Sequence, residues 1–429
     1  VDALRAIDDE TVDLYMMNGR GAFSSAALVF ASPWLYNGGV YRPARLDILG
    51  NGAVPVKTVL KRCQSFVKGE VVLCVSLVLA VLTAFAVPPD WAYFSYPDYR
   101  TLALLFCLML IVAGFRSLGV FQRLGGWLLR RAGGFRGLSF ALTLLCFFSS
   151  MVITNDVTLI TFVPFTLLVT RGVSRKGSVL SLVVFETIAA NLGSMATPIG
   201  NPQNLYLYSV ADMGFAQFAW AVLPYTGISL VLLAVALLFQ KDEPVREFAS
   251  QASGEKLPLP PLLAMLFCLA LCLLVVFRVV GYLPVLVCVA LVTLLVDRRL
   301  YGAVDYALLL TFLCFFIFVG NIKRLPEVNS LLQSLVGGRE LWAGILASQV
   351  ISNVPAAILL SGFTGSYGVL LTAVNLGGLG TPIASLASLI SFKFCAREYP
   401  GQMGRFFRIF TVWNLLFLAV LTGVAVLLT

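Results

Sequence analysis

From residue 70 onward the chain is a series of apolar runs, and nine of them reach or approach the length of a membrane crossing: 70–88, 99–115, 178–208, 218–240, 258–277, 283–296, 304–320, 368–392 and 405–429. About 20 apolar residues at 1.5 Å each cover the roughly 30 Å of bilayer hydrocarbon. Backbone inside that layer has no water to bond with, so it must pair its own N–H and C=O groups. The expected fold class is therefore an all-α polytopic membrane protein. Composition agrees, with 59% of the 429 residues hydrophobic and 12% charged.

Four apolar pieces, 137–153, 157–170, 340–352 and 355–363, are too short for comfortable single spans. As a helix, 157–170 reaches only about 21 Å. Each short pair meets at a polar point, Thr154-Asn155-Asp156 in one half and Ser352-Asn353 in the other. This pattern predicts two re-entrant helical hairpins with tips near the midplane.

Two longer runs are interrupted in matching ways. Residues 191–205 read NLGSMATPIGNPQNL and residues 375–389 read NLGGLGTPIASLASL. Each is expected to be a broken transmembrane helix, because Gly193, Pro198, Gly200 and Pro202, like Gly377, Gly378, Gly380 and Pro382, resist continuous helix. One such break reads as a kink satisfied by neighbouring helices. Two matched breaks beside two polar tips point instead to backbone facing a binding site.

The order of residues adds chemistry. Thr197, Asn201 and Thr381 each stand before a proline, the arrangement of an N-cap followed by the first helical position, so helix starts are expected there. Thr154, Asn155 and Asp156 are expected to cap a helix from Val157, and Ser352 with Asn353 one containing Pro355. Four half-helix N-termini would then converge, each with free N–H groups and about half a positive charge. Such a centre suits a small anion. The candidate substrate residues are Thr154, Asn155, Asp156, Thr197, Pro198, Asn201, Ser352, Asn353, Thr381 and Pro382. Carbonyls around Asn191 to Gly193 and Asn375 to Gly377 are candidate ligands for a coupling cation, and Asp156 is a further one. Asp156 could equally accept a proton or act only as an anionic cap.

Asp156 and Glu186 are the carboxylates well inside apolar segments, where an ionised group costs about 2.5 to 3.5 kcal/mol. Glu186 is expected to pair with a hairpin residue, and Arg278 and Lys323 to snorkel to an interface.

Basic residues set the orientation. Lys57, Lys61, Arg62 and Lys68, then Arg116, Arg123, Arg130, Arg131 and Arg136, then Arg171, Arg175 and Lys176 fall on one side if the first hairpin enters from the cytoplasm. Lys241, Arg246, Lys256, Arg298, Arg299, Lys393, Arg397, Arg405 and Arg408 join them, whereas 88–98 and 209–217 hold no Lys or Arg. Lys323, Arg324 and Arg339 stay outside, beside a second hairpin entering from the other face. Asp98-Tyr99 and Asp305-Tyr306 each open an apolar run in corresponding places. The expected organisation is a loosely structured extension (1–56), a first inverted repeat (57–240), a cytoplasmic linker (241–257) and a second inverted repeat (258–429).

Several function classes fall away. The net charge of +9 lies in short loops, where cytoplasmic retention accounts for it without nucleic acid. Histidine is absent, which removes imidazole chemistry, and the nine cysteines form no CxxC pair. No nucleophile, acid pair or metal cluster suited to an enzyme is evident, and no cofactor is expected beyond Na⁺ or H⁺ as coupling ion. No secretory cleavage pattern stands out, and the apolar run 71–87 is expected to direct insertion.

Ser352-Asn353 is similar to the Ser-Asn-Thr hairpin signature of the dicarboxylate branch of the ion-transporter superfamily, and Thr154-Asn155-Asp156 is a variant of it. Over roughly residues 65–429 the chain resembles these anion permeases, which include citrate transporters, divalent-anion/sodium symporters, arsenite pumps and sodium/proton antiporters. The resemblance implies a scaffold with a mobile transport domain, elevator-type movement, a homodimer, and a place in the bacterial inner membrane. It also implies that Asn155 and Asn353 touch substrate carboxylates while the Thr197 and Thr381 loops help form substrate and Na⁺ sites. The third signature position is Asp156 in one half and Val354 in the other, so both a di- or tricarboxylate and an inorganic oxyanion remain open as cargo. The expected function is secondary active anion transport coupled to Na⁺ or H⁺. The alternative is a cation/proton antiporter with Asp156 as the exchanging carboxylate.

Overall fold

The computed structural model describes residues 34–37, 40–43, 70–129, 134–171, 173, 175–242 and 258–428. Within the extension expected at 1–56 the described part is a short antiparallel pair, Trp34–Asn37 with Val40–Pro43. The rest of that extension, most of the linker 241–257, and Lys57, Lys61, Arg62, Cys63, Lys68, Arg130, Arg131, Arg246 and Lys256 lie outside the described residues.

The membrane part is helical. In chain order the helices are α1 (Val71–Ala86), α2 (Tyr99–Ser117), α3 (Val120–Leu129), α4 (Phe135–Ile153), α5 (Asn155–Val169), α6 (Lys176–Ser194), α7 (Pro202–Val210) and α8 (Phe215–Leu238). They continue with α9 (Leu259–Val276), α10 (Tyr282–Asp297), α11 (Tyr306–Lys323), α12 (Pro326–Val336) and α13 (Glu340–Ile351). The last four are α14 (Asn353–Ser361), α15 (Tyr367–Leu376), α16 (Leu386–Glu398) and α17 (Met403–Leu428). Among the described residues seven helices, α2, α4, α6, α8, α9, α11 and α17, are long and apolar enough to cross a membrane.

Local chemistry explains several boundaries. Asp98 accepts from the Arg100 and Thr101 amides at 3.2 Å, and Asp305 accepts from the Leu308 amide at 2.9 Å, so the two Asp-Tyr pairs are N-caps of α2 and α11. Arg136 ties the start of α4 to the end of α8, donating from Nε to the Gln240 carbonyl at 2.9 Å while its amide donates to Asp242 at 3.0 Å. The piece expected at 137–153 is longer than its apolar core suggests. As α4 it starts at Phe135 and runs 19 residues, about 28 Å. The sequence reading also missed α3 and α12, two short helices whose mixed polarity leaves no continuous apolar run.

Packing follows a crossed pattern. Helix α1 lies along α11, and α10 along α2; α4 packs on α5 and α6, as α13 packs on α14 and α15. The second arms cross over, α5 against α16 and α14 against α7. Burial is deepest in α6, where Phe185, Ile188 and Leu192 have 2% exposure or less, whereas α9 and α10 leave Leu263, Phe267, Leu283 and Leu295 exposed as an outward apolar face. The protein core therefore sits around the tips and breaks, ringed by surface suited to lipid.

Candidate functional site

Both tips turn on one residue in a conformation that side chains disfavour. Thr154 has φ 69° and ψ 154°, and Ser352 has φ 74° and ψ 155°. The reversal lets α5 start at Asn155 and α14 at Asn353, two residues earlier than capping rules suggest. Neither Thr154 nor Ser352 makes a side-chain cap bond, so the expectation that they cap these helices is corrected: their role is the turn itself.

The breaks are also corrected in detail. Thr197-Pro198 and Thr381-Pro382 do not start helices. They lie in unwound backbone at 195–201 and 377–385, and the helices begin at Pro202 and Leu386. Asn201 is the true cap of α7, accepting from the Asn204 amide at 2.9 Å. The two threonine hydroxyls instead make one matching bond each: Thr197 Oγ1 donates to the Met151 carbonyl at 2.5 Å, and Thr381 Oγ1 to the Gln349 carbonyl at 3.2 Å. Met151 and Gln349 each stand three residues before their tip. The long-range bond to the hairpin outweighs the local Thr-Pro preference.

Carbonyls freed by the unwinding find donors inside the protein. Asn204 Nδ2 donates to the Met195 and Thr197 carbonyls at 3.1 and 3.0 Å. Gln349 Nε2 does the same for Gly377 and Leu379 at 2.8 and 2.9 Å. The carbonyls of Asn191 and Gly193 accept from Ser194 Oγ and the Ala196 amide, and that of Asn375 from the Gly378 amide. The backbone expected to hold a cation at Asn191, Gly193, Asn375 and Gly377 is thus already bonded. Gly193 and Gly377 have a steric purpose: a Cβ on Gly193 would strike the Phe147 carbonyl oxygen, and one on Gly377 would lie 2.7 Å from Ser348 Oγ.

Asn191 and Asn375 hold the halves together. Asn155 Nδ2 and Ser385 Oγ donate to Asn191 Oδ1 at 3.1 and 3.0 Å, and Asn191 Nδ2 donates to Ser388 Oγ at 3.4 Å. In return, Asn201 Nδ2 donates to Asn375 Oδ1 at 3.0 Å, and Asn375 Nδ2 to Asn204 Oδ1 at 2.7 Å. In the aligned breaks, Asn201 and Asn204 stand where Ser385 and Ser388 stand. Each asparagine is therefore bonded by the same two positions of the other half.

In front of this network lies one narrow cavity with two residues from each of four helix starts: Asn155 and Asp156 of α5, Pro202 and Gln203 of α7, Asn353 and Val354 of α14, Ser385 and Leu386 at α16. Leu308 of α11 closes one side. The first amides of a helix have no intrahelical acceptor, so the four starts direct N–H groups and positive dipole ends toward one place. At α14 these donors are partly used, since the Asn353 amide donates to the Ala384 carbonyl at 2.9 Å and the Val354 amide to Asn353 Oδ1 at 3.0 Å. Three cavity oxygens, Asn155 Oδ1, Asp156 Oδ1 and Gln203 Oε1, are buried without a hydrogen-bond partner. Among the described residues no Lys or Arg lines the cavity.

Of the ten expected substrate residues, the cavity thus gathers Asn155, Asp156 and Asn353. Thr154 and Ser352 form the turns behind it, Thr197, Asn201 and Thr381 brace it, and Pro198 and Pro382 sit in the unwound strands beyond. The expected substrate residues left out Pro202, Gln203, Leu308, Val354, Ser385 and Leu386 of the cavity, and Gln349 behind it. Gln203 and Ser385 were within reach, since they adjoin the breaks. Glu186 meets the hairpin as expected, accepting from Thr166 Oγ1. Arg278 and Lys323 are exposed as expected, with Arg278 paired to Asp212.

Comparison with known proteins gives a consistent picture. The profile of the citrate transporter family matches residues 67–365. An uncharacterized transporter of Methanocaldococcus jannaschii is 31% identical over 337 residues, covering 77% of this chain and 90% of the relative. The inner membrane protein YbiR of Escherichia coli is 33% identical over 329 residues, covering 76% and 86%. A silicon efflux transporter of Oryza sativa is 32% identical over 157 residues, 36% of this chain and 31% of that protein.

Proposed function

The chain belongs to the citrate transporter family, and from that premise we propose that it is a secondary active transporter for a small anion, driven by Na⁺ or H⁺. Family membership makes it a multi-pass membrane transporter and not an enzyme. The observation that carries the anion reading is the convergence of four helix N-termini on one cavity. An anion there is held by backbone N–H groups and helix dipoles with no basic side chain required.

The cargo class is a di- or tricarboxylate or an inorganic oxyanion. The family name favours the first, and the partial likeness to a silicon efflux transporter keeps the second. Transport by an elevator movement of α4–α7 and α13–α16 against α1, α2 and α9–α11 belongs to the same reading. So do two inverted repeats, 57–240 and 258–429, with re-entrant hairpins α4–α5 and α13–α14. The crossed packing of α1 on α11 and α10 on α2, and the reciprocal bonds of Asn191 and Asn375, support that repeat. A homodimer and a plasma-membrane location complete the proposal, the latter supported by the relative named as an inner membrane protein.

A second reading, cation/proton antiport, is favoured by the three unpartnered oxygens of Asn155, Asp156 and Gln203, which would suit a cation. Both readings meet one experiment. Purified protein is screened by thermal shift against citrate, succinate, sulfate, phosphate, arsenite and silicic acid, with and without Na⁺. Compounds that protect are then tested for uptake in proteoliposomes. Accumulation of one anion establishes the first reading. Exchange of Na⁺ for protons with no anion uptake establishes the second.

A further inference from the structure

Glu186 lies in the middle of α6 and is fully buried. Thr166 Oγ1 of α5 donates to its Oε1, while Oε2 has no partner. The titratable groups that face it are the thiols of Cys146 from α4 and Cys395 from α16. No cation meets it. Lys393 and Arg397 of α16 are on exposed positions, Arg405 of α17 lies against Gly177 near the far end of α6, and α8 and α15 contain no charged residue. An ionised carboxylate in such a place lacks both water and a counter-charge, so the membrane holds this group only with a proton on it.

Packing does not require a carboxyl here. The corresponding position of the other broken helix, five residues before Asn375, is Leu370, which is equally buried. Nor does the bond to Thr166 require one, because a neutral amide accepts as well. What the carboxyl adds is the ability to gain and lose a proton. It also sits on a polar track that leads to the cavity. Beside it, Thr187 Oγ1 donates to Ser391 Oγ of α16 at 2.7 Å, and one turn along α16 Ser388 meets Asn191, which holds the tip residue Asn155. Ser385, Ser388, Ser391 and Cys395 share one face of α16.

We propose that Glu186 is a proton-binding site of the transport cycle, separate from the cavity. Oε2 holds the proton in the conformation described above and releases it as H⁺ once the movement of α4–α7 and α13–α16 brings water to it, leaving a carboxylate. Rebinding from water reverses the step. The proposal rests on the transporter reading and makes H⁺ the coupling ion.

The test needs no cargo. Infrared spectra of the full-length protein in lipid nanodiscs are recorded across a pH titration, following the carboxylic C=O band. We expect one band that titrates in the wild type, is lost in Glu186→Gln and moves in Thr166→Val, which keeps the carboxyl and removes its donor. Identical titrating bands in wild type and Glu186→Gln overturn the proposal. Should Glu186→Gln fail to fold, an unmoved band in Thr166→Val does the same. A failed uptake screen leaves this measurement intact, so failure of the one is distinguished from failure of the other.

Discussion

Thr154 and Ser352 adopt one backbone conformation, φ near 70° and ψ near 155°, although they stand in different halves of the chain. That region is populated almost only by glycine and costs about 1 to 3 kcal/mol for other residues. Both turns carry the cost because the packing of α4 on α5 and of α13 on α14 fixes the reversal.

Thr154→Gly should therefore raise the unfolding midpoint or leave it unchanged, since glycine relieves the strain and no side-chain bond is lost, whereas Ser352→Gly should gain less because it also loses the Ser352 Oγ bond to the Ala384 carbonyl at 3.4 Å. Thermal unfolding in detergent checks this. A clear drop in both variants would show that the hydroxyls, not the turns, matter.

Asn155→Ala and Asn353→Ala should abolish uptake of the cargo found by the screen while leaving folded protein in the membrane. Each removes a polar side chain from the cavity rim, and Asn155 also releases Asn191 Oδ1. Flux and size-exclusion profiles are measured side by side; undiminished uptake in both variants rules these residues out.

Asn191→Ala should destabilise the protein by about 1 to 3 kcal/mol, because buried donors on Ser385 and Asn155 lose their acceptor. Asn375→Ala should cost a similar amount through Asn201 and Asn204. A double-mutant cycle of Asn191→Ala with Ser385→Ala tests the tie directly, and strictly additive losses count against it.

Gly193→Ala should be worse than Gly377→Ala. The new methyl would strike the Phe147 carbonyl oxygen in one case, whereas in the other its backbone neighbour, the Ala373 carbonyl oxygen, is 2.9 Å away and Ser348 Oγ 2.7 Å away. Overpacking of this kind costs about 1 to 3 kcal/mol. Equal unfolding midpoints for the two variants would contradict the difference.

At the membrane surface, Arg324 Nη2 lies 2.8 Å from Asp90 and holds its carboxyl below the usual range. A lowered carboxyl contributes stability at neutral pH that fades as pH falls through about 4 and below. Asp90→Asn should flatten that acid limb of the midpoint-versus-pH curve. The pair is exposed, so the effect should be small and shrink with added salt. An acid limb identical to the wild type would mean the pair contributes nothing.

Much of this fold is legible in the sequence because apolar length and Asp-Tyr caps are local signals. Asn191 and Asn375 also announce themselves, being amides inside apolar runs. What local rules miss is competition from distant groups. Thr197 and Thr381 have the sequence of helix caps, yet their hydroxyls go to carbonyls of α4 and α13. Gln349 is one polar residue in an apolar helix, and only folding brings it to the carbonyls of Gly377 and Leu379. The cavity position of Leu308 carries no signal at all, since a leucine on α11 resembles every other leucine there.

The reciprocal asparagine ties have a consequence for how the protein is made. Asn191 and Ser385 are separated by 194 positions, and a ribosome adding roughly 5 to 20 residues per second needs on the order of ten to forty seconds to cover that distance. Throughout that interval Asn191 has Asn155 of its own half but neither Ser385 nor Ser388, and a stop or truncation before Ser385 leaves it so for good. The shorter product keeps the side-chain N–H of Asn191 buried without Ser388 to accept it, a cost that the complete chain does not carry.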